Sequence, residues 1–473
     1  MPGSGLVRGA CVGKRVLYFF ARKDMRMIKF PSPAVSIVGR HNSGKTTLIE
    51  KLIAELVGRG LDVGSVKHHS HVGFDIDIPG KDSWRHRHAG ASETVIAAPG
   101  QMARIQTTNG EAECADIVAS MPGHDVVIVE GYRKSGLPTI EIMRAGNKAD
   151  ARTAEVFAEG ARKGWELGTD FTQFGRGSMP YAAEVRPDDR PVAQPLGQAE
   201  EDRLACSYPD HVDISNKMPT AATVAVVTDI PLAAEAAGMY GIPAFDIDDV
   251  AGLADFLQAS FARPRVSMVV QAGGESRRMG RSKATVPFCG RPLICRLVER
   301  LSPVADELII TTNEPKELAF LQEQYPELGI RFESDVINER GALPGLYTAL
   351  RCARNPYVAV VACDMVLASP SLVVAEALEM TRTGADVVVP VNKHGFEPFH
   401  AIYRRSGCLP AVRAALNEGE KRAQVFFNQV NVCEFPQKKV LEAEPMGGCF
   451  MNANTPDELA ALERIIQDRV ECE

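Results

Sequence analysis

A glycine-and-lysine turn lies between an apolar run and a helical pattern near the start of the chain. The stretch SIVGRHNSGKTTLIEKL contains Gly39, four intervening residues, and then Gly44, Lys45 and Thr46. Glycines allow consecutive backbone N–H groups to point inward around a phosphate, and the helix that follows adds its partly positive N-terminus. In this pattern the lysine reaches the β- and γ-phosphates and the hydroxyl contacts Mg²⁺. The spacing therefore predicts a phosphate-binding loop.

An acidic residue is predicted to face the same loop from a second strand. The stretch HDVVIVEGY indicates a strand that enters at Asp125 and ends at Glu130. Ligands of open α/β sheets bind beyond the carboxyl ends of the strands, so Glu130 is expected to hold Mg²⁺ or its waters, together with Thr46. Asp125 is interpreted as a polar residue at the strand entry. The residues predicted to bind the nucleotide in this half are Gly39, Asn42, Ser43, Gly44, Lys45, Thr46, Thr47 and Glu130.

A second glycine turn, far downstream, has a different chemistry. The stretch QAGGESRRMGRSK follows an apolar strand, lacks the lysine–threonine pair and ends in a basic cluster. Glycines admit a triphosphate close to the backbone, and cations spread its charge. This combination is typical of an enzyme that acts at the α-phosphate and expels pyrophosphate. The cations are Arg277, Arg278, Arg281 and Lys283, of which Arg278 and Lys283 are predicted to be catalytic.

An aspartate is predicted to share a crevice with this second turn. The stretch YVAVVACDM places Asp364 at the carboxyl end of a buried strand. A carboxylate at that position faces the ligand crevice and can bind Mg²⁺. Asp364 is therefore predicted to be both a metal ligand and, with Lys283, a catalytic residue.

Histidines and acidic residues are concentrated between the first loop and Glu130. Their spacing matches no zinc-binding pattern and no cysteine lies nearby, which favours a polar loop facing an anion over a metal site. The acidic residues of the same stretch are a further candidate contact for Mg²⁺ or a second anionic ligand. The residues concerned are His68, His69, His71, His86, His88, Asp75, Asp77, Lys81 and Asp82.

Alternating strands and helices are needed to position these motifs, and the chain predicts them in both halves. Such alternation indicates parallel sheets wrapped by helices, which is an α/β fold. The strands predicted in the first half are Val35–Val38, Asp62–Lys67, Thr94–Ala97, Asp125–Val129 and Thr223–Thr228. Those predicted in the second half are Val266–Val270, Glu307–Thr312, Tyr357–Cys363 and Asp386–Pro390.

The length of 473 residues suggests two or three domains. A helical pattern that ends near Phe261 and is followed by Pro264 places a boundary at about residue 263. Residues 1–29 are expected to be a poorly ordered leader, and 30–263 a phosphate-loop domain. Within it, a stretch rich in proline and charge is predicted to be an insertion at about 146–218. Residues 264–473 form the second domain.

Composition excludes several classes of protein. The net charge of −7 argues against nucleic-acid binding by bulk electrostatics. No apolar run approaches the roughly 18 residues that a membrane crossing needs, and the N-terminal VLYFF is too short for the core of a signal peptide. Eleven scattered cysteines without a C-x-x-C pair indicate reduced thiols. The predicted location is therefore the cytoplasm.

The order of motifs in the first half resembles the GTP-binding accessory protein of molybdopterin-guanine dinucleotide biosynthesis. The matching stretches are the phosphate loop, VKHHSH, DIPGKDSWRHRHAGA, VVIVEGYRKSGLPTIEIMR and, later, VAVVTD. The resemblance covers residues 30 to about 145 and 220–260, and the stretch at about 146–218 departs from it. It implies a P-loop NTPase-like parallel sheet that binds GTP with Mg²⁺, has weak GTPase activity and forms a homodimer.

The second half resembles the molybdenum cofactor guanylyltransferases over nearly its full length. The matching stretches are QAGGESRRMGRSK, ACDM, EPFHAIY and FMNANTPDEL. The resemblance implies a Rossmann-like nucleotidyltransferase with Mg²⁺ on Asp364. Two departures are Gln271, where the family usually has leucine, and GALPGL at 341–346, which replaces Gly-Pro-Leu-Ala-Gly. The nucleotide contacts that it implies are Gln271, Ala272, Gly273, Gly274, Lys283, Asn313, Asp335 and Asp364.

Together the resemblances predict a fusion of two activities of one pathway step. The second domain would transfer GMP from GTP to the phosphate of molybdopterin, releasing pyrophosphate, beside an accessory GTP-binding domain. Molybdoenzymes or their chaperones are the implied protein partners. Cytidylyl transfer and a sugar-phosphate acceptor remain alternatives for the second domain, and a GTP-switched metallochaperone remains one for the first.

Overall fold

The structure is a computed structural model that describes residues 28–69, 76–164, 166–167, 217–273, 282–337, 339 and 341–471. It divides into two compact units, here called the first unit, Pro31–Arg263, and the second unit, which contains Pro264–Glu473. Ile28 and Phe30 pack into the core of the second unit, although the sequence assigned Phe30 to the first domain. The rest of the predicted leader, apart from Lys29, lies outside the described residues.

The described part of the first unit is built on a parallel sheet with the strand order β2-β5-β1-β6-β7-β8. Its central strands are apolar and β-branched and are buried on both faces, as parallel strands between helices must be. The strands of this unit are β1 Ala34–Gly39, β2 Val63–Lys67, β3 Glu93–Ala98, β4 Gln101–Gln106, β5 Val126–Glu130, β6 Thr139–Met143, β7 Thr223–Thr228 and β8 Ala244–Phe245.

Helices cover this sheet through apolar residues spaced three and four apart. The helix after the phosphate loop buries Leu48, Leu52 and Leu56, which lie on one face of it. Among the described residues, the helices of the first unit are α1 Lys45–Gly58, α2 Asp82–His88, α3 Cys114–Ala119, α4 Lys148–Lys163, α5 Pro231–Met239 and α6 Val250–Ser260.

The strand predicted at Thr94–Ala97 does exist, but its placement in the parallel sheet was wrong. It lies in β3, which pairs antiparallel with β4 as a separate two-stranded hairpin. Gly100, at φ 79°, supplies the left-handed conformation that its tight turn requires. Because most of β3 is exposed, its apolar residues do not face the core, and the apolar pattern was misleading.

The first part of the predicted insertion is a regular helix. Asn147 caps α4 by accepting hydrogen bonds from the N–H groups of Ala149 and Asp150, and Gly164 ends it at φ 69°. Its buried Ala154, Phe157 and Ala158 pack in one cluster with the buried alanines of α5. Residues 168–216 of the predicted insertion lie outside the described residues.

The second unit is built on a mixed sheet. In its described part the strand order is β13-β12-β9-β14-β17-β15-β16, with β18 beside β15 and β17 antiparallel to both neighbours. The strands are β9 Val266–Gln271, β10 Pro287–Phe288, β11 Arg291–Pro292, β12 Glu307–Thr311, β13 Arg331–Glu333, β14 Tyr357–Ala362, β15 Val387–Asn392, β16 Gly395–Phe396, β17 His400–Arg404 and β18 Val432–Pro436.

Two cores lie on the two faces of this sheet. Alternation along β9 sends Val266, Met268 and Val270 to one core and Val269 to the other. The helices are α7 Leu293–Leu301, α8 Phe320–Gln324, α9 Ala342–Cys352, α10 Pro370–Thr383, α11 Arg405–Asn417, α12 Gln437–Ala443 and α13 Pro456–Glu471. The prediction of two α/β domains is confirmed. In the described ranges, every helix is too short or too polar to cross a membrane.

Candidate nucleotide-binding and active sites

The predicted phosphate loop leads from β1 into α1. Gly44 caps the helix in a left-handed conformation at φ 82°, and Asn42 also has a positive φ of 59°. A Cβ atom on Gly39 would lie 2.7 Å from Ser43 Oγ and 3.0 Å from the Ile142 carbonyl oxygen. Glycine is therefore required at position 39 to let the loop pass this close to the neighbouring strand.

The Lys45 ammonium lies across the loop itself. Its Nζ donates to the carbonyl oxygens of Gly39, at 3.1 Å, and Arg40, at 2.6 Å. Burial lowers the pKa of Lys45, and the carboxylate of Glu130 acts in the opposite direction. This cation is thus held where a phosphate wrapped by the loop would meet it.

Thr46 and Glu130 meet at the end of the loop. The Thr46 hydroxyl donates to Glu130 Oε1 at 3.0 Å, and Lys67 Nζ lies 3.3 Å from Glu130 Oε2. The register of β1 against β5, which pairs Ile37 with Glu130, brings the carboxylate beside the loop. Thr47, also predicted, is exposed in the first turn of α1. A hydroxyl and one carboxylate are hard oxygen donors that suit Mg²⁺ when phosphates supply further ligands.

The histidine-rich stretch contains aromatic stacks and ion pairs. His68 stacks on Tyr132 at 4.2 Å between ring centroids, and its Nε2 lies 2.5 Å from Glu111 Oε1. Trp84 and His88 stack in α2 at 3.6 Å. Within the described residues no group of three metal-binding side chains comes together. His71 and Asp75 lie outside the described residues.

In the second unit, the predicted residues Gln271, Ala272 and Gly273 follow one another at the carboxyl end of β9, next to the ends of the neighbouring strands. Ala272 N–H donates to the Thr311 carbonyl at 2.9 Å, and Cys363 N–H donates to the Gln271 carbonyl at 3.0 Å. A Cβ atom on Gly273 would lie 3.8 Å from Asp335 Oδ2. The buried Gln271 Nε2 has no hydrogen-bond partner among the described residues.

A cation and a carboxylate form the centre of the second site. Lys283 Nζ donates to Asp364 Oδ2 at 2.9 Å and to Asn454 Oδ1 at 2.5 Å. The Ala453 N–H donates to the Asp364 carbonyl at 2.9 Å, which ties the segment before α13 to the strand end. Burial raises the pKa of the neighbouring Cys363 thiol to about 12, so it is protonated and a poor nucleophile.

Asn454 is a site residue that sequence reasoning missed. Glu458 accepts from the N–H groups of Asn454 and Thr455, at 2.7 and 3.1 Å, and its own N–H donates to Thr455 Oγ1 at 3.2 Å. This reciprocal capping box holds Asn454 toward Lys283. The signal that could have found it is the N-A-N-T-P stretch combined with T-x-x-E.

The other predicted nucleotide contacts form a neighbouring pair. Asn313 Nδ2 donates to Asp335 Oδ2 at 2.8 Å, and Asp335 N–H donates to Asn313 Oδ1 at 3.0 Å. This pair presents carboxylate and amide groups at the carboxyl ends of β12 and β13. Gly274 and Arg278, with Arg277 and Arg281, lie outside the described residues.

Comparison with known proteins identifies families for both units. The family molybdopterin guanine dinucleotide synthesis protein B (MobB) matches residues 34–158, and the MobA-like NTP transferase domain matches residues 268–432. A probable molybdenum cofactor guanylyltransferase of Natranaerobius thermophilus is 30% identical over 203 residues, which cover 42% of this chain and 96% of the relative. The chain belongs to the molybdenum cofactor guanylyltransferase family. The predicted fusion of two domains is confirmed.

Two further proteins of known name are similar to this chain over a comparable share of its length. The molybdenum cofactor guanylyltransferase of Desulfosudis oleivorans is 30% identical over 203 residues, covering 43% of this chain and 96% of the relative. A solved structure, molybdopterin-guanine dinucleotide biosynthesis protein A from Archaeoglobus fulgidus, is 28% identical with a TM-score of 0.38. It covers 43% of this chain and 99% of that chain.

Proposed function

We propose that the second unit transfers GMP from GTP to the terminal phosphate of molybdopterin. The observation that carries this proposal is the cluster of Lys283, Asp364 and Asn454 at the carboxyl ends of its strands, in a chain of the guanylyltransferase family. An oxygen of the molybdopterin phosphate attacks the α-phosphorus of GTP. The bond from the α-phosphorus to the bridging oxygen of the β-phosphate breaks, and pyrophosphate leaves with that oxygen.

The protein's contribution is positioning and charge. Lys283, with Arg278, neutralises the triphosphate, and Asp364 is the carboxylate that would hold Mg²⁺. When bound, Mg²⁺ polarises the α-phosphate. A single carboxylate fits this ion, which is usually held by one or two carboxylates, substrate phosphates and water. Gln271, Ala272 and Gly273, together with the pair formed by Asn313 and Asp335, would contact the nucleotide.

The first unit is proposed to be the accessory domain that binds GTP with Mg²⁺ and hydrolyses it slowly. Support comes from the positive φ of Gly44, the ammonium of Lys45 over the loop and the contact between Thr46 and Glu130. The reaction is proposed to take place in the cytoplasm, and molybdoenzymes or their chaperones are proposed to receive the product.

Base selection provides the test of the proposed function. The full chain is given GTP and CTP at equal concentrations with Mg²⁺ and molybdopterin, and the dinucleotide product is identified by mass. We expect the guanine dinucleotide to predominate by at least about 100-fold. The reason is that polar groups of the site that hydrogen-bond to the edge of guanine would lack hydrogen-bond partners when cytosine is bound. A product that is mainly the cytosine dinucleotide would refute guanylyl transfer and leave the α/β fold unaffected.

A separate prediction concerns the independence of the second unit. Residues 264–473 have their own cores and are expected to fold alone and to transfer nucleotide. The fragment lacks Phe30, which is 3% exposed in that core, and its unfolding free energy is expected to fall by about 1.5–3 kcal/mol. Denaturant unfolding measures this loss, and Phe30→Ala in the full chain is the matched variant. A fragment that is inactive even when Ile28–Phe30 are restored argues against an independent unit.

A further inference from the structure

A guanidinium lies beside the phosphate loop of the first unit and comes from a distant part of the chain. Arg144 directly follows β6, the strand next to β1 in the sheet. A Cβ atom on Gly44 would lie 3.2 Å from Arg144 Nη1. The guanidinium therefore occupies the space next to the N-terminus of α1, where the loop is proposed to bind phosphates.

The side chain of Arg144 is fixed by a carboxylate. Its Nε lies 3.1 Å from Asp229 Oδ2, and the other oxygen of Asp229 accepts from the Ala145 N–H at 2.6 Å. Burial acts to raise the pKa of Asp229, but the hydrogen bonds from Ala145 and Arg144 outweigh it and hold that pKa below its usual value. Asp229 is thus ionised at neutral pH and orients the guanidinium.

The backbone of Arg144 is tied to the phosphate loop through a second carboxylate. Asp150 Oδ2 accepts from the Arg144 N–H at 3.1 Å, while Asp150 Oδ1 lies 2.9 Å from Arg40 Nε. Arg40 belongs to the loop, and its Nη2 also donates to Thr153 Oγ1 at 2.9 Å. Since the side chain of Asp150 is only 3% exposed, one buried carboxylate sets the position of Arg144 relative to the loop.

Positive groups therefore converge on one point. The N-terminus of α1 and the Arg144 guanidinium lie at Gly44, and Lys45 Nζ lies on the Gly39 and Arg40 carbonyls of the same loop. The acid paired with the guanidinium, Asp229, has a side chain 34% exposed to solvent. Asp229 and Glu130 offset part of this positive charge, and an anion bound at the loop would offset more of it. A guanidinium also suits phosphate oxygens because its donors can bind two of them at once.

We propose that Arg144 contacts the phosphates of the nucleotide bound by the first unit, and that Asp229 and Asp150 position it. This inference rests on the proposed binding of GTP by that unit. It adds to the site a residue that lies 100 positions away from Gly44 and outside the phosphate-loop motif.

The test is calorimetric titration of the full chain with a non-hydrolysable GTP analogue and Mg²⁺. Lys45→Ala identifies the component of binding that belongs to the phosphate loop. Arg144→Ala is expected to weaken that component by about 10- to 100-fold, the usual effect of losing a hydrogen bond to a charged group. Arg144→Lys, which keeps the charge but not the two-pronged geometry, is expected to give an intermediate affinity.

The matched control is Arg162→Ala, at the far end of α4 from Asp150, with a side chain 55% exposed. It should bind the analogue like the unaltered chain, and circular dichroism establishes that each variant is folded. If Lys45→Ala loses a component of analogue binding, but the affinity of that component in Arg144→Ala stays within twofold of the unaltered chain, the role of Arg144 is overturned. The proposed nucleotide site itself would then stand. Absence of any Lys45-dependent component in the unaltered chain overturns the proposed nucleotide site and this inference with it.

Discussion

Replacement of Asp364 by asparagine is expected to lower the rate of guanylyl transfer by about 10²- to 10³-fold, the usual effect of removing one group that stabilises transition-state charge. Asparagine keeps the size of the side chain and an oxygen that can accept from Lys283. In the unaltered chain, Lys283 Nζ lies 2.9 Å from Asp364 Oδ2. It removes the negative charge that would hold Mg²⁺ and balance the ammonium. Pyrophosphate release from GTP with molybdopterin and Mg²⁺ measures the effect.

Two controls separate this result from general damage. Asp457→Asn, an exposed acid in the first turn of α13, should leave the rate unchanged. Raising the Mg²⁺ concentration should recover part of the activity of Asp364→Asn, because the weakened ligand lowers the affinity for the ion. A rate within threefold of the unaltered chain would show that Asp364 is not the metal ligand.

Replacement of Lys45 by alanine is expected to abolish nucleotide hydrolysis by the first unit and to leave basal guanylyl transfer within about twofold. Lys45 donates to carbonyls of its own loop, and a lysine at this position serves the β- and γ-phosphates bound there. The second unit has its own glycine turn and cation. Phosphate release without molybdopterin measures the first activity, and pyrophosphate release with it measures the second.

Lys51→Ala is the matched control for this prediction, since it lies on the same helix with a side chain 54% exposed and should alter neither activity. If Lys45→Ala abolished transfer as completely as Asp364→Asn does, the two nucleotide sites would act as one. The proposal of a separate accessory domain would then be wrong.

Local patterns in the sequence were sufficient to predict the strands that carry the two glycine turns. The strand predicted at Val266–Val270 is observed as Val266–Gln271, and that at Val35–Val38 as Ala34–Gly39. Apolar β-branched runs and glycine spacing encode these features within about ten residues, so no distant partner is needed to recognise them. The proximity of Thr46 and Glu130 follows in turn, because parallel strands end at the same edge of a sheet.

Strand β6 could not be predicted in the same way. Glu141 interrupts its apolar pattern, and it is tolerated because Arg133 binds both carboxylate oxygens, at 2.5 and 2.6 Å. Burial raises the pKa of Glu141 to about 7, although Arg133 acts to lower it. The cost of burying this carboxylate is offset by a partner on a loop, which the strand's own sequence does not reveal.

The sequence by itself determined the fold class, the phosphate loop, and the identities of Lys283 and Asp364 as candidate site residues. Only the tertiary structure placed Asn454 against Lys283, across 171 residues, and Arg144 against Gly44. Both depend on strand order and on the packing of the segments that follow the strands. These are set by the joint burial of many side chains from distant parts of the chain, whereas motif spacing records only what neighbouring residues require of one another.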